Sequence, residues 1–444
     1  MSTRNPPRNA QLARPPRDSK PGKLGSTMGK PGKSAGLPFE IDAGALPPLG
    51  MPPAVFLRDY WQKRPLLIRN AFAAFAAPGG GSPIEPEDLA GLACEETALS
   101  RIVMHDRASD GWTVSSGPFA EAMFPGMPHQ DWTLLVQDVD KWDADVARLL
   151  EAFTFLPRWR IDDIMVSFAA PGGSVGAHVD QYDVFLLQSQ GHRRWQVDAS
   201  VALGNAAPAL EFRDDVELKL LRTFNPTHDW LVGPGDMLYL PPGVPHHGVA
   251  EDACLTLSVG MRAPSAAELL GDFVDTLGAE ADEALRYGDP DLQPAGDPSE
   301  IDAAAMDRAV EALNLLRMND PDRLGDWFGR FITVYRNAGE VLPGGDERSR
   351  IEVEWDLQHG ASLWRHPYSR MAWRKARRGA SLYVNGEDFP LPVRDARRIA
   401  NAAQLDGAAY TTLSEAGRDR VFALIQAGHY RLGMADGPDD GDDA

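Results

Sequence analysis

The spacing of apolar residues changes along the chain and divides it into parts. Residues 160 to 262 contain short apolar or alternating runs between Gly/Pro turns, for example "DDIMVSFAA", "YDVFLLQS" and "CLTLSVGMR". Many short strands with turn signals about every 8 to 12 residues are typical of a sandwich or barrel. Upstream, "PAVFLRDYW" reads as a short helix and "PLLIRNA" as a strand. We therefore assign residues 39–263 to one β-rich domain.

The pattern becomes helical after Pro264. "SAAELLGDFVDTLGAEADEAL", "EIDAAAMDRAVEALNLLRM" and "DRLGDWFGRFITVYRN" carry apolar residues at helical spacing. We predict a helical bundle in residues 264–345, whose apolar faces form either an internal core or a dimer seam. Residues 346–433 combine a hairpin, with "NG" as its turn signal, and two helices. This mixture predicts a winged-helix-like domain, so the fold class is α+β and multidomain.

Length and composition support several domains in a reducing compartment. A chain of 444 residues is too long for one hydrophobic core, and 43% apolar with 24% charged residues is ordinary for a globular protein. No apolar run approaches the roughly 20 residues of a membrane helix, and the N-terminus lacks a secretory signal. Only Cys94 and Cys254 are present, which excludes a disulfide framework or a Cys-rich zinc site. We expect a cytoplasmic protein without a membrane association.

Charge is distributed unevenly along the chain. Residues 1–38 hold eight Lys or Arg and one Asp and are rich in Pro and Gly, whereas the whole chain has a net charge of −20. Such a segment cannot bury enough apolar surface to order itself, so we predict a disordered basic tail over residues 1–38. Residues 434–444 are predicted to be a disordered acidic tail. The acidic body repels nucleic acid and favours basic partners.

A metal site is suggested by a histidine and an aspartate two residues apart. In a strand, His178 and Asp180 would project to the same side, after the turn "PGGSVG". A third donor is available far downstream in "PPGVPHHGV", where the residues alone leave His246 and His247 as alternatives, with His246 preferred because it directly follows Pro245. Two His and one carboxylate form the facial triad of non-haem Fe(II) oxygenases.

Such an oxygenase needs an electron source, and 2-oxoglutarate supplies two electrons on oxidative decarboxylation. Its distal carboxylate requires a buried cation, best an arginine, together with a hydroxyl group. "GHRRWQV" offers Arg193 and Arg194, of which strand alternation points only one inward, and we favour Arg193. Ser167, on the strand that leads into the first motif, is the candidate hydroxyl.

Taken together, these motifs resemble a known family. "DDIMVSFAAPGGSVGAHVDQYDVFLLQSQGHRRWQV", "PGDMLYLPPGVPHHGV" and "LSVGMRAPS" are similar to the JmjC/cupin-type ribosomal oxygenases, with the bacterial branch that hydroxylates an arginine of a large-subunit ribosomal protein as the nearest match. The resemblance is strong over residues 125 to 270 and weaker elsewhere. It implies a double-stranded β-helix (jelly roll) catalytic domain, a helical dimerisation region and a C-terminal winged helix.

The resemblance also implies the site and its ligands. Iron would be held by His178, Asp180 and His246, 2-oxoglutarate would contact Ser167 and Arg193, and molecular oxygen would be consumed. The expected substrate is a large-subunit ribosomal protein, and the expected assembly is a homodimer. Three further residues lie beside the metal ligands in the sequence, and each is a candidate either for contact with substrate or for a structural role next to the metal: Gln181, Tyr182 and Asp183.

Two other functions are compatible with the residues. The first is a JmjC-type hydroxylase or demethylase of another protein, because these enzymes share one metal site. The second is a non-catalytic cupin regulator joined to a DNA-binding winged helix, with a phosphate-contacting strip formed by Arg370, Arg374, Lys375, Arg377 and Arg378. The following helix, "VRDARRIANAAQLDGAAY", mixes both charges, which disfavours DNA binding.

Overall fold

The computed structural model describes residues 36–207, 209–316, 320–343 and 348–433. The predicted acidic tail and nearly all of the predicted basic tail lie outside these residues. The strands are β1 (Glu40–Asp42), β2 (Leu66–Arg69), β3 (Ser100–Asp106), β4 (Gly111–Ser116), β5 (Trp132–Val136), β6 (Ile161–Ala169), β7 (Val184–Gln190), β8 (Arg193–Val197), β9 (His228–Val232), β10 (Met237–Leu240), β11 (His246–Ala250), β12 (Cys254–Met261), β13 (Ser362–Arg365), β14 (Met371–Lys375), β15 (Ala380–Val384), β16 (Glu387–Leu391), β17 (Gln404–Asp406) and β18 (Tyr430–Gly433).

The helices are shorter and lie mainly in the second half of the chain. They are α1 (Pro53–Asp59), α2 (Pro86–Leu92), α3 (Val139–Trp142), α4 (Ala144–Arg148), α5 (Ala266–Ala279), α6 (Ala303–Asn314), α7 (Pro321–Thr333), α8 (Arg350–Gln358), α9 (Val393–Asn401), α10 (Gly407–Thr411) and α11 (Glu415–Gln426). Among the described residues, every helix is too short or too polar to cross a lipid bilayer.

Two sheets that pack face to face form the N-terminal half. The large sheet has the order β1-β2-β10-β7-β12-β6-β5-β3-β4, and the small sheet has the order β11-β8-β9. Apolar side chains from both sheets share one core, which includes Leu186 and Leu238 from the large sheet and Trp195, Trp230 and Val232 from the small one. This confirms the predicted jelly roll.

The segment around the first motif is not a regular strand. His178 pairs with His246 only through an isolated antiparallel bridge, and Asp180 lies beyond it in irregular backbone. The expectation that strand alternation orients both side chains was therefore wrong. Gly176 precedes the bridge with φ +79°, and a Cβ atom there would lie 2.7 Å from Leu220. The left-handed backbone favours glycine at this turn, and any side chain would also have to displace Leu220.

The helical region is less compact than a bundle. Phe273 and Leu277 of α5 pack against Trp327 of α7. By contrast, α6 has no buried residue, and Met306 and Val310 are among its exposed apolar side chains. All three helices form where the sequence predicts them, but within the described residues only α5 and α7 pack against each other.

The C-terminal half contains a three-stranded wing, β14-β15-β16, and a second sheet, β17-β13-β18. The predicted "NG" turn joins β15 to β16, with φ of +44° at Asn385 and +92° at Gly386. Positive φ at both positions is the requirement of a type I′ hairpin turn. Helix α7 contacts this wing closely, since a Cβ atom on Gly329 would lie 2.3 Å from the Tyr383 ring. The winged-helix prediction is confirmed, and α7 packs with it.

Two cations of the proposed DNA-contacting strip form ion pairs within the protein. Arg370 Nη2 lies 2.6 Å from an Asp162 carboxylate oxygen, and Arg374 Nη2 lies 2.7 Å from Asp326. Arg377 is largely exposed, 3.8 Å from a carboxylate oxygen of Asp322. The strip is thus a partly neutralised surface rather than a row of five free cations.

Candidate active site

Three metal-binding side chains converge where the two sheets meet. The backbone amides of His178 and His246 each donate to the other residue's carbonyl at 3.0 Å, which holds the two rings together with centroids 4.3 Å apart. Asp180 Oδ1 lies 4.0 Å from Nε2 of His178, and its Oδ2 lies 3.7 Å from Nε2 of His246. The ligand atoms of all three residues lie within 4.8 Å of one another. Among the described residues, this is the one group of three or more His, Cys, Asp or Glu side chains that lie close enough together to hold a metal ion.

Both imidazole rings are oriented by the backbone. Nδ1 of His178 lies 2.9 Å from the carbonyl of Gly176, and Nδ1 of His246 lies 2.9 Å from the carbonyl of Val244. A carbonyl can only accept, so each Nδ1 carries the proton and each Nε2 presents a lone pair to the other ligands. The structure thus fixes the tautomer that metal binding requires.

The electrostatics of the triad favour a cation. Burial lowers the pKa of His246 well below its usual value, with a further contribution from His178, so the ring is neutral. Burial also raises the pKa of Asp180, against the opposing effect of His178. A divalent cation would supply the positive charge that this partly buried carboxylate lacks, and two neutral imidazoles with a carboxylate are a suitable donor set for Fe(II).

His247, the alternative third ligand, points elsewhere. Its Nε2 lies 3.1 Å from the Ser174 hydroxyl, and its ring contacts Phe224 edge-on at 6.3 Å. Burial is the main cause that lowers its pKa to about 4. Both histidines belong to β11, where consecutive side chains alternate in direction. The strand therefore brings only His246 to the triad.

Arg193 is a buried cation without a carboxylate partner in the described part of the chain. Its side chain lines the cavity of the triad and is 3% exposed. Nη1 lies 3.4 Å from the Ser167 hydroxyl, the guanidinium lies 5.1 Å from the Trp195 ring, and Nε has no hydrogen-bond partner. Arg194 points outward instead, to Asp229 and Glu251. An uncompensated buried guanidinium is costly, which marks the place as an anion site.

Comparison with known proteins agrees with this arrangement. Residues 148–269 match the JmjC domain family, and residues 316–431 match the ROXA-like winged-helix family. The chain is 37% identical over 342 residues to the ribosomal protein uL16 3-hydroxylase of Escherichia coli, covering 77% of this chain and 86% of that protein. This chain belongs to the JmjC-type ribosomal oxygenases. A probable ribosomal oxygenase of Haemophilus influenzae is 42% identical over 244 residues, 54% of this chain and 55% of that protein.

Solved structures show the same architecture. The X-ray structure of E. coli ycfD has a TM-score of 0.76 and 33% identity, covering 86% of this chain and 98% of that chain. Another structure of that ribosomal oxygenase, in complex with cobalt and 2-oxoglutarate, has a TM-score of 0.73 and 33% identity over the same shares. Jelly roll and winged helix are therefore shared across almost the whole length of ycfD.

The cavity of this ribosomal oxygenase has a volume of about 430 Å³, within the range of small-molecule sites. Besides the triad, Ser167 and Arg193, its walls include Thr133, which the sequence analysis missed. The Thr133 side chain is fully buried and its hydroxyl has no hydrogen-bond partner among the described residues. No local signal distinguishes it, because "DWTLLVQDV" reads as an ordinary core strand.

The three candidate substrate residues have different environments. Tyr182 lines the cavity and is 42% exposed, whereas Gln181 is exposed and lies outside the cavity walls. Asp183 is completely buried and accepts hydrogen bonds from Tyr239 at 2.6 Å, Gln62 at 2.9 Å and Arg160 at 3.2 Å. Of the three, the structure brings only Tyr182 to the cavity, while Asp183 ties the motif to the surrounding core.

Proposed function

We propose that this chain is an Fe(II)- and 2-oxoglutarate-dependent hydroxylase of an arginine in the large-subunit ribosomal protein uL16. The observation that carries the proposal is one cavity that holds both the His178–Asp180–His246 cluster and the unpaired cation Arg193. The first is a donor set for Fe(II), and the second recognises the carboxylate of a co-substrate. The relative named as a uL16 3-hydroxylase supports the proposed substrate protein. The ycfD structure in complex with cobalt and 2-oxoglutarate supports the metal and the co-substrate.

Each residue of the site would have a separate task. His178 and His246 would bind the iron through Nε2, and Asp180 would contribute a negative charge. Arg193, with the hydroxyl of Ser167, would bind the distal carboxylate of 2-oxoglutarate. When bound, iron and 2-oxoglutarate supply the chemistry: O2 oxidises a substrate C–H bond to C–OH while 2-oxoglutarate becomes succinate and carbon dioxide. The protein needs no acid or base for this reaction; it orients the substrate and excludes water.

The walls of the cavity support a cationic substrate side chain. Asp162 and Asp163 both line it, as do the aromatic side chain of Tyr182 and the flexible thioether of Met165. A carboxylate binds a guanidinium through two parallel hydrogen bonds, and an aromatic ring stacks on its plane. Asp163, which lines the cavity, is the carboxylate that we assign to the substrate arginine, rather than Asp183, which lies outside the cavity walls. A ribosomal substrate places this activity in the cytoplasm.

We also propose that the enzyme is a homodimer through its helical region. Exposed apolar side chains recur on one face of α6 at positions 306, 310 and 313, and Leu270 and Val274 of α5 are exposed as well. Apolar patches of this kind are typical of interfaces. A second copy with the same surface would cover them symmetrically.

A direct test is to incubate the full chain with Fe(II), 2-oxoglutarate and the ribosomal proteins of its own cell. Mass spectrometry should then detect the gain of one oxygen atom on an arginine of uL16. The same reaction with the His178→Ala variant should leave uL16 unmodified. Modification of a residue other than arginine would refute the arginine assignment. If the enzyme binds metal but none of the ribosomal proteins is modified, the result would favour the alternative function as a non-catalytic cupin regulator.

A further inference from the structure

One wall of the cavity comes from outside the jelly roll. Arg336 follows helix α7, inside the segment that matches the winged-helix family, and its side chain lines the cavity. It binds both oxygens of Asp138, with Nη2 2.7 Å from Oδ1 and Nε 3.0 Å from Oδ2. The same Nη2 lies 3.2 Å from Oδ2 of Asp163. Its Nη1 lies 3.5 Å from Oδ2 of Asp162, so Arg336 links three carboxylates of the jelly-roll half.

The two oxygens of Asp163 have different surroundings. Oδ2 accepts hydrogen bonds from the backbone amide of Asp138 at 3.1 Å and from Arg336, whereas no described residue donates a hydrogen bond to Oδ1. The partners of Oδ2 fix the orientation of the carboxylate. Oδ1 is left to accept a hydrogen bond from a ligand in the cavity.

We propose that Arg336 is a positioning residue for substrate: it fixes the orientation of the Asp163 carboxylate and favours its charged form, with one oxygen free to pair with the guanidinium of the target arginine. This inference rests on the proposed arginine hydroxylation and extends it. It makes the winged-helix half a part of the substrate site, since the jelly roll alone does not supply this cation.

The charges around Asp163 explain why a cation is needed. Burial, Asp138, Asp162 and Asp140 raise the pKa of Asp163 to about 7, and Arg336 acts in the opposite direction. Asp163 in turn raises the pKa of Tyr182, after the larger effects of burial and Asp180. Without Arg336 the carboxyl group would retain its proton to a higher pH. A neutral acid binds a guanidinium more weakly than a carboxylate does.

The test compares full-length wild type with Arg336→Met on a uL16 peptide and on the same peptide with citrulline in place of the target arginine. Loss of one charged hydrogen bond predicts a rise of about tenfold or more in KM for the arginine peptide. The preference for arginine over citrulline should fall by the same factor, and KM for 2-oxoglutarate should not change. The pH at which kcat/KM reaches half its plateau should rise, and Arg336→Lys should restore part of the preference.

Arg374→Met is the control, because Arg374 ties the wing to α7 through Asp326 and contacts neither Asp162 nor Asp163. It should lower the melting temperature but leave the pH profile and the arginine preference unchanged. If Arg336→Met behaves in the same way, the role of Arg336 is structural and the inference is wrong. If wild type hydroxylates no arginine peptide, the proposed function fails and the inference fails with it.

Discussion

The Arg193→Met substitution separates two effects of one buried guanidinium. The charge lowers the stability of the unliganded protein, and it contributes to the binding of the 2-oxoglutarate carboxylate. Arg193 is 3% exposed, its Nε has no partner, and its contact with the Ser167 hydroxyl is long, at 3.4 Å. Replacement of a buried ion pair by apolar side chains of similar size is often neutral or stabilising by about 1–4 kcal/mol, and a buried cation without a carboxylate partner loses even less when it is replaced. The unliganded variant should therefore unfold at the same or a higher temperature than wild type.

The effect on 2-oxoglutarate binding should be opposite in sign and large. Removal of one partner from a buried ion pair costs about 3–5 kcal/mol, because the other charge remains desolvated and unpaired. Since each 1.4 kcal/mol is a factor of ten, the Kd for 2-oxoglutarate should rise by about 10²- to 10⁴-fold. The stabilisation of wild type by saturating ligand, about 2.7 kcal/mol at a hundredfold excess over Kd, should disappear.

Calorimetric titration with 2-oxoglutarate and thermal unfolding, both with cobalt and without oxygen, measure these quantities. Arg194→Met is the matched control, since the neighbouring side chain is exposed and makes only surface ion pairs, which contribute little to stability. That variant should bind 2-oxoglutarate as wild type does. Wild-type affinity in Arg193→Met, or a loss of several kcal/mol from its unliganded fold, would refute the assignment of Arg193 to the anion site.

Four further outcomes are expected. His178→Ala should abolish metal binding and hydroxylation, whereas His247→Ala should retain both, as metal titration and product mass spectrometry would show; equal losses would contradict the choice of third ligand. Burial raises the pKa of Asp163 above its unfolded value, so its contribution to stability is lost as pH rises through about 7. Asp163→Asn should thus gain thermal stability relative to wild type at pH 8 but not at pH 3, while peptide turnover falls; a pH-independent difference would argue against the assignment. Gly248→Ala places a Cβ atom 2.6 Å from the Trp195 ring and 2.9 Å from Nε of Arg193, so it should displace the guanidinium and weaken 2-oxoglutarate binding; unchanged calorimetric affinity would exclude this packing constraint. Leu313→Glu should convert the proposed dimer to a monomer in light scattering, and an unchanged mass would place any interface elsewhere.

Much of the fold follows from local sequence signals. Periodicity and turn residues predict most strands of both halves, including the turn at Asn385 and Gly386, because these signals act between neighbouring residues. The helical bundle was the main overstatement, since amphipathic spacing shows that α6 has an apolar face but not what covers it. The strand expected around His178 was also wrong, because the tight turn at Gly176 interrupts regular pairing.

The donor types of the site, two imidazoles, a carboxylate and an arginine, were determined by the sequence itself, because few other residue sets suit a ferrous ion and a dicarboxylate. Only the tertiary structure decided which candidates face the cavity: His246 rather than His247, and Arg193 rather than Arg194. Strand register makes this choice, since a shift of one residue sends every side chain to the opposite face. The contact of Arg336 with Asp138 and Asp163 joins segments far apart in the chain, and no local pattern encodes such a pairing.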